Sequence, residues 1–183
     1  DLRRMGMQLS FPQSPVYEGD TRTFEVHAHT AGFALDMWQL LFTFDTALLE
    51  VEDYATSSYY QAPVANLDQT AGTLQLLTMG STSAGRNGCN SGGHTGGCIT
   101  GTKVPILTIT VRVKTGWLHG CESRDVTSEE AMSLLVESMI NPGGLAFVYK
   151  EYARIDGSLS AAAETVWYRQ QTERGVMLGG GWY

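Results

Sequence analysis

Short runs in which apolar and polar residues alternate, each closed by a turn, recur along the chain and constrain its fold more than any other feature. The run at 107–113 has Leu, Ile or Val at every second position, and the run at 21–29 alternates in the same way through Phe24, Val26 and Ala28. A period of two is typical of strands that bury one face and expose the other. We therefore predict a half-buried strand at each place.

Further strands are indicated between these runs and beyond them. The segment at 37–44 has the same period, although its second side is unusually apolar. Residues 126–140 fit either a helix or a strand, and we predict a strand because the neighbouring segments are strands. About seven to nine short strands, with at most a turn or two of helix, imply an all-β fold that is an antiparallel β-sandwich.

The charge balance of the chain excludes some classes of partner. Among 183 residues, 12 are Lys or Arg and 19 are Asp or Glu, which gives a net charge of −7. Such a chain repels phosphate, so we expect no nucleic-acid partner. It has no apolar run of about 18 residues, so we expect no direct membrane insertion by this segment. Because it begins at Asp1 without Met, we expect a processed part of a longer protein.

Four motifs occur in an order that resembles the cohesin domain. They are Tyr-Glu-Gly-Asp-Thr at 17–21, Trp-Gln-Leu-Leu-Phe-Thr-Phe-Asp at 38–45, Leu-Leu-Glu-Val at 48–51 and Leu-Thr-Ile-Thr-Val-Arg-Val at 107–113. The resemblance implies a cohesin-like jelly roll of about nine strands. It further implies that one sheet face binds a dockerin module and that the domain is not an enzyme.

Two segments depart from the bacterial scaffoldin cohesins, namely the insertion at 85–101 and the hairpin at 141–144. Cohesin-like domains also occur in eukaryotic cell-surface adhesion proteins, which a loop with a disulfide fits better. We assign residues 1–157 to the cohesin-like domain. Residues 158–183 are interpreted as a linker or as a terminal strand toward a neighbouring segment.

The three cysteines bear on the location of the protein. Cys89 and Cys98 lie in a glycine-rich loop, and we predict a disulfide between them, which would restrict the unfolded chain. Disulfides persist in oxidising compartments, so we expect an extracellular or cell-surface location. The alternatives are two reduced thiols or a metal site, although the spacing is unlike that of zinc ligands. Cys121 is either joined to another chain or segment or is a buried free thiol.

Two clusters in the sequence contain side chains of the kinds that bind metals. His27 and His29 share one side of a predicted strand, where a third ligand would complete a metal site; the alternative, which we expect, is a polar outward face. The second cluster is acidic and contains Asp45, Glu50, Glu52 and Asp53. Its carboxylate oxygens could bind Ca²⁺, or they could simply be solvated. We expect no metal ligands and no cofactor, with Ca²⁺ as the alternative.

An exposed apolar patch is the candidate partner-binding surface. The residues assigned to it lie on nominal outer faces of strands or close to them in sequence: Met37, Gln39, Leu41, Leu77, Tyr59 and Tyr60. Contiguous exposed apolar side chains mark interaction surfaces. The alternative is that a bulge reverses the assignment, or that another segment covers these residues.

These observations favour a non-catalytic extracellular module for adhesion or scaffolding, within a larger surface protein or assembly. Its partner would be another extracellular protein or a neighbouring subunit. The alternative is a jelly-roll carbohydrate-binding module, in which Tyr59, Tyr60, Trp117 and Trp182 stack on a glycan. No nucleophile motif such as Gly-x-Ser-x-Gly occurs, so we expect no enzymatic activity.

Overall fold

The computed structural model describes residues 5–12, 16–80, 99–116, 124–126, 128–157 and 159–161. These residues form twelve strands and one helical turn. Ten of the strands make two five-stranded sheets, and the remaining two pair with each other. The predicted all-β sandwich is therefore confirmed.

The first sheet has the strand order β11-β1-β2-β7-β4. Its strands are β1 (Gly6–Ser10), β2 (Thr21–His29), β4 (Leu49–Thr56), β7 (Val104–Val113) and β11 (Arg154–Asp156). The pairing of β1 with β11 is parallel, and the other pairings are antiparallel.

The second sheet has the order β10-β9-β3-β6-β5 and is antiparallel throughout. Its strands are β3 (Met37–Phe44), β5 (Val64–Asp68), β6 (Thr73–Met79), β9 (Met132–Ile140) and β10 (Ala146–Tyr152). The separate pair joins β8 (Arg124–Val126) to β12 (Leu159–Ala161), and the helical turn α1 spans Ser128–Ala131.

The core lies between the two sheets, where every second residue of each long strand points inward. Phe24 from β2, Trp38 from β3 and Ile109 from β7 have no exposed surface. Burying one large apolar side chain contributes about 1.5–3 kcal/mol. The apolar residues at every second position of the sequence are therefore the ones that hold the two sheets together.

The segment whose sequence fitted both helix and strand is a strand from Met132 to Ile140, which confirms the prediction. It pairs along its length with β3, and only the preceding four residues turn as a helix. Strand pairing wins because it places Met132, Leu134 and Val136 in the core.

Two glycines fix turns that other residues would strain. Gly72 has φ +68°, and a Cβ at this position would lie 2.3 Å from the carbonyl oxygen of Phe44. Gly144 has φ +81° in the hairpin at 141–144. There the Asn141 Oδ1 accepts a hydrogen bond from the Leu145 N–H at 2.9 Å, as expected for a turn-forming Asn.

Candidate functional site

The outer face of the second sheet carries a continuous set of apolar side chains, which we call the apolar face. Cross-strand register places its members in adjacent rows. One row runs through Leu135, Leu41 and Gln75, the next through Ser138, Gln39 and Leu77, and a third through Ile140, Met37 and Met79. The apolar face comprises Met37, Leu41, Val64, Leu77, Met79, Leu135, Ile140, Tyr149 and Tyr152.

Exposure rises from the middle of this face toward its two edges. The central strand β3 alternates buried inner residues with half-buried outer ones. Leu77 on β6 is 38% exposed, whereas Val64 on β5 and Tyr152 on β10 are 73% and 71% exposed. A partner that covered the face would therefore remove apolar surface from water on all five strands, which favours binding.

One carboxylate lies within the rows of this face. The register of β9 against β3 shifts between Gln39 and Leu40, so Glu137 has no directly opposed β3 residue. The Gln75 Nε2 donates a hydrogen bond to Glu137 Oε2 at 3.2 Å. Bulges re-aim side chains in this way, and here the bulge places a negative charge among apolar groups.

At the β10 edge the face gains aromatic groups and a cation. Tyr149 is 68% exposed, and the Lys150 Nζ lies 5.5 Å from the centre of its ring. Lys150 has φ +48°, which interrupts the regular alternation of the strand. Tyr149 and Tyr152 consequently share the outer face although they are three positions apart.

Four of the predicted patch residues are brought together by the structure. Gln39 and Leu77 are directly paired, and Met37 and Leu41 flank Gln39 on the same side of β3. Tyr59 is 43% exposed, but it lies in the connection between β4 and β5 rather than in the rows. That this face binds a partner stays a prediction.

The assignment of Tyr60 to this patch is wrong, because its side chain is only 5% exposed and belongs to the core. Its hydroxyl donates to the carbonyl oxygen of Leu35 at 3.2 Å. Its ring meets Trp38 edge to face, with centroids 5.7 Å apart. Burial, and secondarily the charge of Asp36, raises the Tyr60 pKa well above its ordinary value.

Sequence reasoning missed six of the nine residues of the apolar face. Leu135 and Ile140 were hidden by the helix–strand ambiguity of their segment. A strand assignment places Leu135 on the side away from the buried Met132 and Leu134, but Ile140 reaches that side only because the register shifts at Glu137. Tyr149 and Tyr152 have a spacing that does not fit a period of two, because Lys150 breaks the alternation. Val64 and Met79 follow from alternation once β5 and β6 are recognised as a hairpin.

The expectation that His27 and His29 lie on a polar outward face is also wrong. The two residues are 9% and 6% exposed, and the register shifts between Val26 and His27. Burial lowers the His27 pKa, while Glu25, whose Oε2 lies 3.6 Å from Nε2, raises it and Lys103 lowers it. Among the described residues, no three metal-binding side chains converge.

The acidic cluster contacts cations and backbone groups. Arg112 pairs with Glu50 Oε2 at 3.0 Å and with Glu52 Oε1 at 3.2 Å. Asp45 Oδ1 accepts from the Ala47 N–H at 2.8 Å, and Asp53 Oδ1 from the Tyr54 N–H at 2.8 Å. The contacts use one oxygen each of Asp45, Glu50 and Asp53, and the calcium alternative stays untested.

Several predicted features lie outside the described residues: Cys89, Cys98, Cys121, Trp117 and Trp182. The disulfide, the domain boundary at 157–158 and the role of the C-terminal segment therefore stay predictions. Within the described ranges, the structure contains no helix with the length and apolar character needed to cross a membrane.

Comparisons with known proteins identify the fold. No family model matches the chain, and no curated protein matches it by sequence. Solved structures do match. A novel type I cohesin–dockerin complex of OlpC and Doc435 from Clostridium thermocellum contains a chain that is 11% identical, with a TM-score of 0.58; the match covers 85% of this chain and 93% of that one.

Cohesins outside the dockerin complexes match as well. A non-cellulosomal cohesin from the hyperthermophilic archaeon Archaeoglobus fulgidus is 14% identical with a TM-score of 0.50, over 90% of this chain and 96% of that chain. A cohesin module of a family 33 glycoside hydrolase from Clostridium perfringens is 9% identical with a TM-score of 0.50, over 83% and 96%. Identities this low show a shared fold, which confirms the cohesin-like architecture.

Proposed function

We propose that this chain, whose fold is that of the cohesins, is a non-catalytic module that binds another protein through its apolar face. The observation that carries the proposal is the set of apolar side chains, half-buried on the central strands and exposed toward the edges, in adjacent rows across all five strands of one sheet. Interfaces bury such a central apolar patch within a polar rim. The opposite sheet offers Thr23, Glu25 and Arg112 at the corresponding outward positions.

Dockerin modules are the first partner class to test. The OlpC–Doc435 structure pairs a cohesin with a dockerin, and the present chain shares that fold. The insertion at 85–101 favours a different extracellular protein or a neighbouring subunit as the second class to test. Both classes would use the same face, because it is the apolar sheet surface that the described residues leave exposed.

We further propose an extracellular or cell-surface location, with a role in adhesion or scaffolding. The support for this location is the predicted disulfide between Cys89 and Cys98, since such bonds persist in oxidising compartments. Peptide mapping under non-reducing conditions tests it. We expect the Cys89–Cys98 peptide pair; recovery of free thiols at both positions in protein from its native source would contradict the proposal.

The binding face is tested by photocrosslinking at two outward positions. A photoreactive residue replaces Gln39 at the centre of the apolar face or Thr23 on the outer face of the first sheet. Each protein is mixed with a panel of dockerin modules and with the surface fraction of its source. We expect covalent adducts from position 39 but not from position 23.

A pair of substitutions then measures the energetic contribution of the face. Leu77→Glu places a second carboxylate in the rows, while Thr23→Glu adds the same charge to the exposed outer face of the first sheet. For the crosslinked partner, we expect Leu77→Glu to weaken binding at least about tenfold in calorimetric titration. Equal affinities for the two variants would show that the apolar face is not the interface.

A carbohydrate partner is the second candidate. It is favoured by Tyr149 and Tyr152, whose rings are 68% and 71% exposed on one side of the edge strand β10. Exposed aromatic rings present the flat apolar surface on which sugar rings stack. Glycan-array binding that is lost in Tyr149→Ala and kept in Leu77→Glu would favour this candidate over a protein partner.

A further inference from the structure

Within the part of the chain that the structure describes, the two main sheets end in four edge strands, β4, β5, β10 and β11, and three of them carry features that limit pairing with another chain. An edge strand directs backbone N–H and C=O groups outward, where they can pair with a further strand. Bulges, charges and short length discourage such pairing. The four edges differ in these features.

Three of the four edge strands carry features that discourage pairing with another strand. On β4 the register shifts between Val51 and Asp53, and the Gln69 amide hydrogen-bonds both the N–H and the carbonyl oxygen of Val51. The register of β10 shifts between Ala146 and Val148, and this strand carries Lys150 at φ +48°. β11 pairs over only three residues.

The β5 edge lacks these features. Its five residues, Val64–Asp68, pair with β6 in regular register without a bulge. They include no Pro and no Lys or Arg. The one charge, on Asp68, is turned to the adjoining turn, where Oδ1 accepts from the Thr70 and Ala71 N–H groups at 2.9 Å.

We propose that β5 pairs antiparallel with β5 of a second copy of this chain, about a two-fold axis at Asn66. In this register Asn66 opposes the partner's Asn66, Ala65 opposes the partner's Leu67, and Val64 opposes the partner's Asp68. The two second sheets then form one continuous ten-stranded sheet (5 + 5). Such an isologous contact is the usual form of a two-fold dimer.

The sequence of β5 is self-complementary in this register. On the inner side, small Ala65 leaves room for the partner's Leu67, and the 36% of Leu67 that is exposed becomes covered. On the outer side, Asn66 meets the partner's Asn66, and amide side chains can both donate and accept. Cross-strand pairs of this kind are the interactions that stabilise one strand against the next.

Charge and size set the strength of the contact. Each copy has a net charge of −7, but Asp68 would lie about 13 Å from the partner's Asp68 along the strands. That separation exceeds the Debye length of about 8 Å at physiological salt. A strand of five residues is much smaller than the roughly 20–30 residues a side of a stable interface, so the dimer dissociates on dilution.

Cysteine crosslinking tests the register. In Asn66→Cys the two introduced thiols face each other across the axis, at a Cα separation of about 4.5–5.5 Å that a disulfide can span. In the matched variant Val64→Cys they lie about 13 Å apart, too far to join. After mild oxidation at high protein concentration, we expect peptide mapping to recover the 66–66 linkage and no 64–64 linkage.

Charge substitutions test the contact without oxidation. Asn66→Lys places two like charges opposite each other at the axis, which disfavours pairing. Val64→Lys adds the same charge at another exposed position of β5, but there the lysine faces the partner's Asp68. We expect sedimentation velocity to show concentration-dependent dimer for the parent chain and for Val64→Lys, and its loss for Asn66→Lys.

Other results overturn the proposal. A parent chain that sediments as monomer up to millimolar concentration excludes the dimer. Equal recovery of the 64–64 and 66–66 linkages shows random collision, and a dimer that survives Asn66→Lys shows a contact elsewhere. Circular dichroism of each variant checks that the exposed substitutions leave the fold intact. None of these outcomes bears on the partner of the apolar face.

Discussion

Tyr60 illustrates how one buried polar group links the loops to the core. Its ring packs edge to face on Trp38, and its hydroxyl donates to the carbonyl oxygen of Leu35. The residue before it in sequence, Tyr59, is 43% exposed. Two adjacent tyrosines therefore have different roles, and a comparison of their variants isolates the buried hydrogen bond.

We expect Tyr60→Phe to lower the free energy of unfolding by about 1 kcal/mol, because it removes one buried hydrogen bond while keeping the ring. Tyr59→Phe is the control and should leave the stability unchanged within error. Urea unfolding followed by tryptophan fluorescence measures both variants. A Tyr60→Phe protein as stable as the Tyr59→Phe protein would contradict this role of the hydroxyl.

The buried His27 makes stability depend on pH in a known direction. Burial lowers its pKa from the ordinary 6.5, so below pH 6.5 the unfolded chain binds more protons at this site than the folded chain. The contribution of His27 is therefore complete above 6.5 and is lost as pH falls from 6.5 through the folded pKa. We expect the free energy of unfolding to decline across that window.

The variant His27→Gln separates this residue from the other titrating groups. It removes the ionisable imidazole, so the decline below pH 6.5 should be smaller than in the parent chain. Urea unfolding gives the free energy of unfolding of each protein at each pH. The quantity compared is the change of this free energy with pH, not its absolute value. Parallel profiles would show that His27 does not titrate differently in the folded state.

At the scale of elements, the two sheets are joined at one open side by a side chain. Gln69, in the turn after β5, hydrogen-bonds to both backbone groups of Val51 on β4. A side-chain amide has the same donor and acceptor as a peptide group. It therefore takes the place of one neighbouring strand residue at the β4 edge.

We expect Gln69→Ala to destabilise the fold by about 1–3 kcal/mol, because two backbone groups lose their partners. Gln69→Glu separates the two hydrogen bonds, since it keeps an acceptor for the Val51 N–H but loses the donor to the Val51 carbonyl. Its stability should lie between that of Gln69→Ala and that of the parent chain. Thermal unfolding by calorimetry measures the series, and a neutral Gln69→Ala would contradict the bridge.

The elements were predictable from the sequence where the period of two was uninterrupted, as in 107–113 and 37–44. Long-range pairing decided the remainder. Residues 132–140 of the ambiguous segment became a strand because β3 lies beside them, and the bulges near His27 and Glu137 depend on neighbouring strands. Local patterns do not contain that information, so the buried histidines and six of the nine residues of the apolar face were missed.

At the scale of the whole molecule, the two sheets present different outer surfaces to a partner. The first sheet carries the ion pairs of Arg112 with Glu50 and Glu52. The second carries the apolar face, with Glu137 hydrogen-bonded to the neutral Gln75. A cationic group of a partner could therefore contact Glu137, whereas Glu50 already has its cation.

This difference leads to a prediction about how salt affects binding. Glu137→Gln and Glu50→Gln each change the net charge from −7 to −6 (−7 + 1). Only Glu137→Gln removes a charge from the proposed interface. For the partner captured at position 39, we expect this variant to weaken binding and to reduce its dependence on salt, while Glu50→Gln leaves both unchanged.

The measurement is the affinity of each variant at several ionic strengths between roughly 0.05 and 0.5 M, a range over which the Debye length falls severalfold. Charge pairs buried in an interface affect dissociation, and rim charges affect association, so the two rate constants also locate Glu137 within the contact. If both variants reduce the salt dependence equally, the partner senses the net charge of the molecule and not this carboxylate. If only Glu137→Gln reduces the salt dependence of binding, the partner contacts the Glu137 carboxylate, which the bulge of β9 places on the apolar face.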